Sequence, residues 1–308
     1  MEILRYSKAL ADETRVRILA VLMERELNVG EIVQALGLPQ SRVSHHLGLL
    51  AEVGLVQPRR DGLWVFYSAA DQGSQQEYLE AVSPFLEEGP LARDREAARH
   101  VAERRRDETR RFFDAIATDW ECFSREVLGD LDLGGRVQAL LPECSTAADL
   151  GCGDGALLPS LHQRAGRVIG VDHSPGMLRA ARQRLGDVDW ASLRIGELEH
   201  LPLRDAEADA ALICMALHHL SHPAEGLTES ARTIRPGGTL LVVDFDKHGK
   251  EDMRTRHGDR WLGFSEDELA ELLREAGLTP LPALAEELPS GLRLLFQPAR
   301  KPHEHKET

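Results

Sequence analysis

Over the first ninety positions, apolar residues recur at helical spacing in short blocks broken by glycine and proline. Leu10, Arg15, Ile18, Leu19 and Leu22 keep one face of a helix over residues 4–22, with a break at Asp12, whose carboxylate suits an N-cap. A short helix is predicted from Val29, closed by Gly37. A second runs from Pro39 through Val53 to a stop at Gly54, with Val43, Leu47 and Leu50 turned inward. Two strand-like runs follow, 55–60 and 63–68, joined by Asp61-Gly62 as a two-residue hairpin turn. A helix over 71–88 places Tyr78, Leu79, Val82 and Leu86 on one side.

The pattern then changes. Residues 93–111 carry eight arginines against five acids and read as a charged connector helix. The aromatic run from Phe112 to Trp120 suits either a lid or plain packing on a sheet. From residue 146 onward, apolar runs alternate with helical runs, which predicts a doubly wound α/β sheet. Its strands are expected to end at Leu150, Asp172, Ile195, Met215 and Asp244. A capped helix starts at Ser265, and 292–297 forms the last, edge strand.

At 308 residues the chain has room for two domains. Its net charge of −14 excludes a generalised nucleic-acid coat but not a small local DNA-reading face. No apolar run approaches a membrane span and no signal peptide is legible, so a cytoplasmic protein is expected. The four cysteines (Cys122, Cys144, Cys152, Cys214) form no C-x-x-C pair and read as free thiols in a reducing compartment.

Two short helices with a glycine turn, followed by a basic-tipped hairpin, are the pattern of a winged helix-turn-helix. Gln40, Ser41, Arg42, Ser44, His45 and His46 crowd the outer early turns of the second helix, where base edges are read. Arg59 and Arg60 lie near the wing tip as phosphate contacts. The runs ALADETRVRIL, SRVSHHLGLLAEVGLV and RRDGLWVFYS resemble the ArsR/SmtB family of bacterial repressors over roughly the first 85–90 residues. The resemblance implies a homodimer, formed through the helix after the wing, on a two-fold-symmetric double-stranded operator. Metal-sensing members have an E-L-C-V-C-type run. The corresponding stretch here is Glu26-Leu27-Asn28-Val29-Gly30, and the 71–88 helix has no histidine, so no metal is expected.

The second constellation is Asp149-Leu150-Gly151-Cys152-Gly153-Asp154-Gly155 between a strand and a helix. Its spacing, G-x-G-x-G, builds a cradle for a charged cofactor tail. It resembles motif I of the class I S-adenosylmethionine (SAM) methyltransferases, in which the acid faces the methionine amine. The resemblance implies cofactor contacts at Asp149, Gly151, Cys152, Gly153 and Gly155. It adds Asp172 on the ribose, His173 next to it and Met177 on an adenine face, then Gly196, Glu197 and Leu198 after the third strand and Met215 after the fourth. Glu197 stands where Asp is more usual. The aromatic run 112–120 resembles the segment folded over this pocket in quinone-type methyltransferases. His218 and His219 end the fourth strand, where a general base can sit or where one of the pair simply packs.

The expected architecture is therefore a winged helix-turn-helix domain over 1–90, a charged helical connector over 91–115, and a Rossmann-like class I methyltransferase domain over 116–300. A disordered tail over 301–308 completes it. The combination resembles the S-adenosylhomocysteine (SAH)-responsive regulators of the methionine cycle. It implies a repressor-type transcriptional regulator with SAM or SAH as effector. The alternative is an active SAM-dependent methyltransferase of a small molecule with a fused autoregulatory DNA-binding domain.

Overall fold

The computed structural model describes residues 2–87, 89–117 and 120–303, with positions 106 and 121–123 described in backbone only. It divides into two compact units, Met1–Asp107 and Glu108–Thr308. The expectations for Glu88, Thr118, Asp119, the Cys122 thiol and the tail after residue 303 lie outside the described residues.

The first unit opens with α1 (Glu2–Ala9) and α2 (Glu13–Leu22). The break between them falls where Asp12 accepts the Arg15 N–H and caps α2. A two-residue strand, β1 (Leu27–Asn28), leads into α3 (Val29–Leu36), which begins in a reciprocal Asn28/Glu31 capping box and ends at left-handed Gly37. Next comes α4 (Gln40–Glu52), whose Val43, Leu47 and Leu50 are fully buried. The wing is β2 (Val56–Asp61) and β3 (Trp64–Ala69), and β1 pairs with β3 to complete a three-stranded antiparallel sheet. Asp61 pairs with Trp64, so the turn is Gly62-Leu63, one residue later than the sequence suggests. Gly62 has φ +58°, at the position where a II′ hairpin turn takes glycine.

The helix expected over 71–88 is α5 (Gly73–Val82) followed by a 3₁₀ turn, Ser83–Leu86. The apolar side read as a dimer face turns inward instead. Leu79 and Leu86 are buried, and Tyr78 and Val82 pack against the same core. Phe85 is left 79% exposed.

The charged stretch is a single helix, α6 (Pro90–Ile116). Its first half is ion-paired to the winged helix. Asp94 holds Arg17 through two bonds of 2.6 and 2.7 Å, Arg95 and Arg99 converge on Glu24, and Arg105 reaches Glu31 at 2.6 Å. Sequence gives no partner for such charges, because each comes from more than seventy residues away.

The second unit continues through α7 (Trp120–Leu128) and α8 (Leu133–Leu140) into β4 (Cys144–Leu150). The alternation predicted from sequence follows: α9 (Leu158–His162), β5 (Ala165–Asp172), α10 (Pro175–Leu185), β6 (Ala191–Ile195), β7 (Ala208–Cys214), α11 (Pro223–Thr233) and β8 (Ile234–Phe245). Then come α12 (Asp252–Arg256), α13 (Glu266–Glu275), β9 (Thr279–Pro280), β10 (Leu284–Glu287) and β11 (Arg293–Arg300). The strand order is β10-β11-β8-β7-β4-β5-β6, with β9 on β11. The strands β4 to β8 are mutually parallel and β11 is antiparallel to β8. Side-chain alternation sends Ala211 and Ile213 to a core under α11 and α13, and Ala210 and Leu212 to one under α8, α9 and α10.

One expectation is corrected in this unit. The last strand is not an edge strand. β11 is buried on both faces between β8 and β10, and the edge is the short β10, whose largely exposed residues carry no apolar signal. Arg235-Pro236-Gly237-Gly238 lies within β8, where the register to β7 shifts. Lys301, at the start of the stretch expected to lack order, donates from Nζ to the carbonyls of Ala231 and Ile234 at 2.8 Å.

Candidate functional site

Strand order reverses at β4 and β7, and the crevice at their carboxyl ends is where an open α/β sheet receives a ligand. The glycine loop leaves β4 there with φ of +87°, +51° and +74° at Gly151, Gly153 and Gly155. The N–H groups of Gly151 and Cys152 both donate to Val171 O, at 2.8 and 2.9 Å, which folds the loop across the end of β5. A Cβ at Gly151 would lie 2.7 Å from Ala216 Cβ, so only glycine allows this approach.

Two of the predicted acids converge on the loop. Asp172, ending β5, accepts the Gly153 N–H at 2.9 Å and the Ser174 N–H at 2.8 Å. Burial pushes its carboxyl up, against the opposing influence of His173. Asp149 is 1% exposed, and its Oδ1 accepts no hydrogen bond among the described residues. Burial first, then the Asp172 and Asp154 charges, raise it to about 7. A buried carboxylate with an unmatched oxygen suits an ammonium group of a ligand.

The remaining predicted contacts differ in what they can offer. Cys152 and Leu198 are buried side chains of the core, so only their backbone can face a ligand. Burial raises the Cys152 thiol well above its usual range, which makes it inert. Gly196 donates its N–H to Asp172 O at 3.1 Å, and Glu197 sits half-buried in a bridge with His200. Met215 takes φ +53°, a left-handed backbone rare for such a residue, at the mouth of the crevice. Met177 is 1% exposed and packs against Phe113 and Ala117, so it does not present a free face to an adenine ring.

The aromatic run is tied to the pocket by a residue that sequence reading missed. Asp114 accepts the Ser174 hydroxyl at 2.6 Å and the Gly176 N–H at 2.8 Å, capping α10 from the end of α6. Phe113 stands edge-on to His219, Trp120 and His173, with centroids 4.8, 5.8 and 5.9 Å away. Nothing local marks Asp114, because its partners lie 60 residues on.

Beside this crevice is a second pocket lined by Trp120, Val127, Leu128, Met215, Phe245 and Met253, with Ser124, His218, His219, His257 and Asp259 as its polar members. His257 and Asp259 line it, whereas the neighbouring Arg254 turns to Glu251 and the Arg260 carbonyl, and Arg256 pairs with Glu126 at the surface. His218 is 2% exposed, and its Nδ1 meets Asp244 Oδ1 at 2.6 Å. Burial alone would lower it, but the Asp244 and Asp259 carboxylates outweigh that and raise it to about 9. Burial and the neighbouring His218 push His219 well below the usual range. Asp244 was legible only as an acid at the carboxyl end of an apolar strand.

In the first unit, Gln40, Ser41, Arg42, Ser44 and His45 are exposed on the early turns of α4. Arg42 also donates from Nη2 to Thr14 Oγ1 at 2.7 Å, which holds its guanidinium beside α2. His46 is half-buried, with Nδ1 3.7 Å from Asp12, and burial lowers it. Arg60 is exposed on the wing. Arg59 departs from expectation. It is clamped by both oxygens of Glu26 at 2.9 and 2.8 Å and lies over the Phe66 ring at 4.7 Å, so its guanidinium holds the wing to the body.

Comparison with known proteins agrees with both halves. Residues 12–57 match the family described as "Bacterial regulatory protein, arsR family", and residues 148–242 match "Methyltransferase domain". The chain carries an ArsR-family helix-turn-helix and a class I SAM methyltransferase domain. The HTH-type transcriptional regulator KmtR of Mycobacterium tuberculosis is 39% identical over 83 residues, 27% of this chain and 64% of that protein. The demethylmenaquinone methyltransferase of Corynebacterium kroppenstedtii is 33% identical over 152 residues, 48% of this chain and 64% of that protein. The chain thus spans just under two thirds of each of these relatives. Among solved structures, Burkholderia thailandensis 1,6-didemethyltoxoflavin-N1-methyltransferase, with its substrate and SAH bound, superposes with a TM-score of 0.50 at 25% identity. That match covers 63% of this chain and 87% of that one. The class I fold implies SAM or SAH binding. Among the described residues no helix is long and apolar enough to cross a membrane.

Proposed function

We propose that this chain is a cytoplasmic, DNA-binding transcriptional regulator of the repressor type whose methyltransferase domain binds SAM or SAH as its effector, controlling genes of SAM recycling. The observation that carries the ligand half is the glycine loop flanked by two buried carboxylates, one with an oxygen that no donor among the described residues meets. In this reading Asp149 meets the methionine ammonium, Asp172 the ribose hydroxyls, and Gly151, Gly153 and Gly155 pass beneath the cofactor. Glu197 and His173 flank the adenine. When bound, the cofactor supplies a sulfonium methyl group, or in SAH its spent thioether. The DNA half rests on the polar exposed turns of α4 and on Arg60, with the first unit acting as a homodimer. Ile3, Leu4 and Phe85, 62%, 49% and 79% exposed, are apolar surface available to that dimer in place of the inward face of α5.

Fluorescence anisotropy of DNA from upstream of the gene, titrated with SAM and SAH separately, tests the whole reading. An SAH-dependent shift in DNA affinity is the expected result. DNA binding indifferent to both ligands would refute the effector role.

Arg60→Ala is expected to weaken operator binding across sequences and to reduce the salt slope by about 1, as for one lost phosphate contact. Arg59→Ala should instead loosen the wing and lower the melting temperature, because it removes the partner of Glu26. Anisotropy over a salt series and a melt on each variant separate the two. Equal salt-slope changes in both would contradict this division of roles.

A second reading, an active small-molecule methyltransferase, is favoured by the apolar-walled pocket beside the crevice. Its test is transfer of labelled methyl from SAM to an acceptor fraction.

A further inference from the structure

We propose that His218, His219 and Asp259 form a mononuclear site for a divalent transition-metal ion, open to the pocket beside the cofactor crevice. One ligand atom from each residue lies within 4.8 Å of the other two. The absence of sensor thiols concerns the winged helix and leaves this cluster untouched. So does the choice between effector and enzyme: the site stands on its own geometry.

Both imidazoles have Nδ1 held by an acceptor, which leaves Nε2 as the nitrogen for an ion. His218 Nδ1 lies 2.6 Å from Asp244 Oδ1, and His219 Nδ1 lies 3.2 Å from Gly258 O. A carboxylate and a carbonyl accept only, so each Nδ1 carries a proton and Nε2 is the nitrogen left for a metal; on His218, which the Asp244 and Asp259 carboxylates favour as imidazolium, the ion would displace the Nε2 proton. This is how metal-ligating histidines are usually fixed, with an acceptor behind the ring setting tautomer and orientation.

Asp259 supplies the second line of argument. Its side chain is fully buried, and neither carboxylate oxygen accepts a hydrogen bond among the described residues. The nearest cation is His218 Nε2 at 3.6 Å, too long for a hydrogen bond. A buried carboxylate so poorly matched costs free energy unless a cation reaches it. An ion bound at about 2.1 Å from two imidazole nitrogens and one oxygen would do so, after an inward movement of roughly 1 Å.

Two imidazoles and a carboxylate suit Zn²⁺, Fe²⁺, Co²⁺ or Mn²⁺ rather than Mg²⁺ or Ca²⁺. Three protein ligands leave coordination positions open. Met215, Trp120 and Phe245 line the same pocket, so an oxygen or nitrogen of a small molecule is the fourth ligand this site would accept.

The test uses the full-length, untagged chain after chelator treatment and Co²⁺ as the probe. One equivalent of Co²⁺ should bind, with visible d–d absorption, and its NMR spectrum should show two paramagnetically shifted signals that vanish in D₂O, one from each Nδ1–H. Asp259→Asn should weaken Co²⁺ at least 10-fold, and His219→Ala likewise. Asp244→Asn should weaken it 10- to 100-fold through His218. His100→Ala, on exposed α6 surface, should change nothing. Absence of d–d bands, or of the two exchangeable shifted signals in the unsubstituted chain, overturns the proposal without relying on any variant folding. Equal Co²⁺ affinity in all four variants overturns it as well.

Discussion

Asp149→Asn is expected to cut SAH affinity by at least 10²-fold and, at pH 8, to stabilise the ligand-free chain. Both effects come from one buried carboxylate. Its carboxyl sits at about 7 in the folded chain, against 3.8 for an ordinary Asp, because burial and then the Asp172 and Asp154 charges oppose ionisation. The folded-state value lies above the unfolded one, so between about pH 4 and 7 the folded chain keeps a proton that the unfolded chain has released. The stability this residue allows is present below pH 4 and lost as pH rises through 7. Each pH unit of that displacement is worth about 1.4 kcal/mol, so the full loss above pH 7 is roughly 4 kcal/mol, which an uncharged Asn avoids. The same charge is what an ammonium group would pair with. SAH affinity of the unsubstituted chain should therefore fall as pH drops below 7. Urea denaturation at pH 5 and pH 8, with calorimetric SAH titration at each pH, reads both effects. A variant that binds SAH normally would sink the placement of the amine. One destabilised equally at both pH values would sink the electrostatic account.

Asp94→Ala is expected to lower the stability of the first unit by about 3 kcal/mol while leaving SAH affinity unchanged. Asp94 is 10% exposed and holds Arg17, 24% exposed, through two hydrogen bonds. Arg17 also donates to Leu36 O at the end of α3, so one guanidinium ties α2, α3 and α6 together. Removing the carboxylate leaves a largely buried cation with a single carbonyl partner, the costly way to break such a pair. Hydrogen exchange should accelerate in α2 and in the first half of α6, and the denaturation midpoint of the unit should fall. Unchanged protection there would mean that the Glu24 and Glu31 ion pairs and the packing of Leu91 and Ala98 are enough to hold α6. Loss of SAH binding would mean that the variant disturbs more than this unit.

Much of the fold was legible because its signals are short-range. Caps at Asp12 and Asn28, the Gly37 stop and the Ser265 capping box act within three or four residues, and sequence displays them directly. The parallel strands of the second unit announce themselves because both faces are buried. β10 does not, since its residues face solvent at an edge. The hairpin was legible but its register was not: Asp61-Gly62 and Gly62-Leu63 are both acceptable turns, and only cross-strand pairing chooses between them.

The sequence by itself determined that there are two modules, a winged helix and a methyltransferase sheet. It also determined where the glycine loop lies and which acids end the strands, because those features follow from periodicity and backbone geometry. The tertiary structure alone decided which charges are available. Arg59 and Glu26 are 33 residues apart, and Arg17 and Asp94 are 77 apart. Asp114 and Ser174 are separated by 60, and His218 and Asp244 by 26. An ionic or hydrogen-bonded partner is a matter of a few ångströms in space, and chain separation carries no information about it. Arg59 therefore looked like a phosphate contact and is a brace, while Asp114, unmarked in the sequence, holds the start of α10.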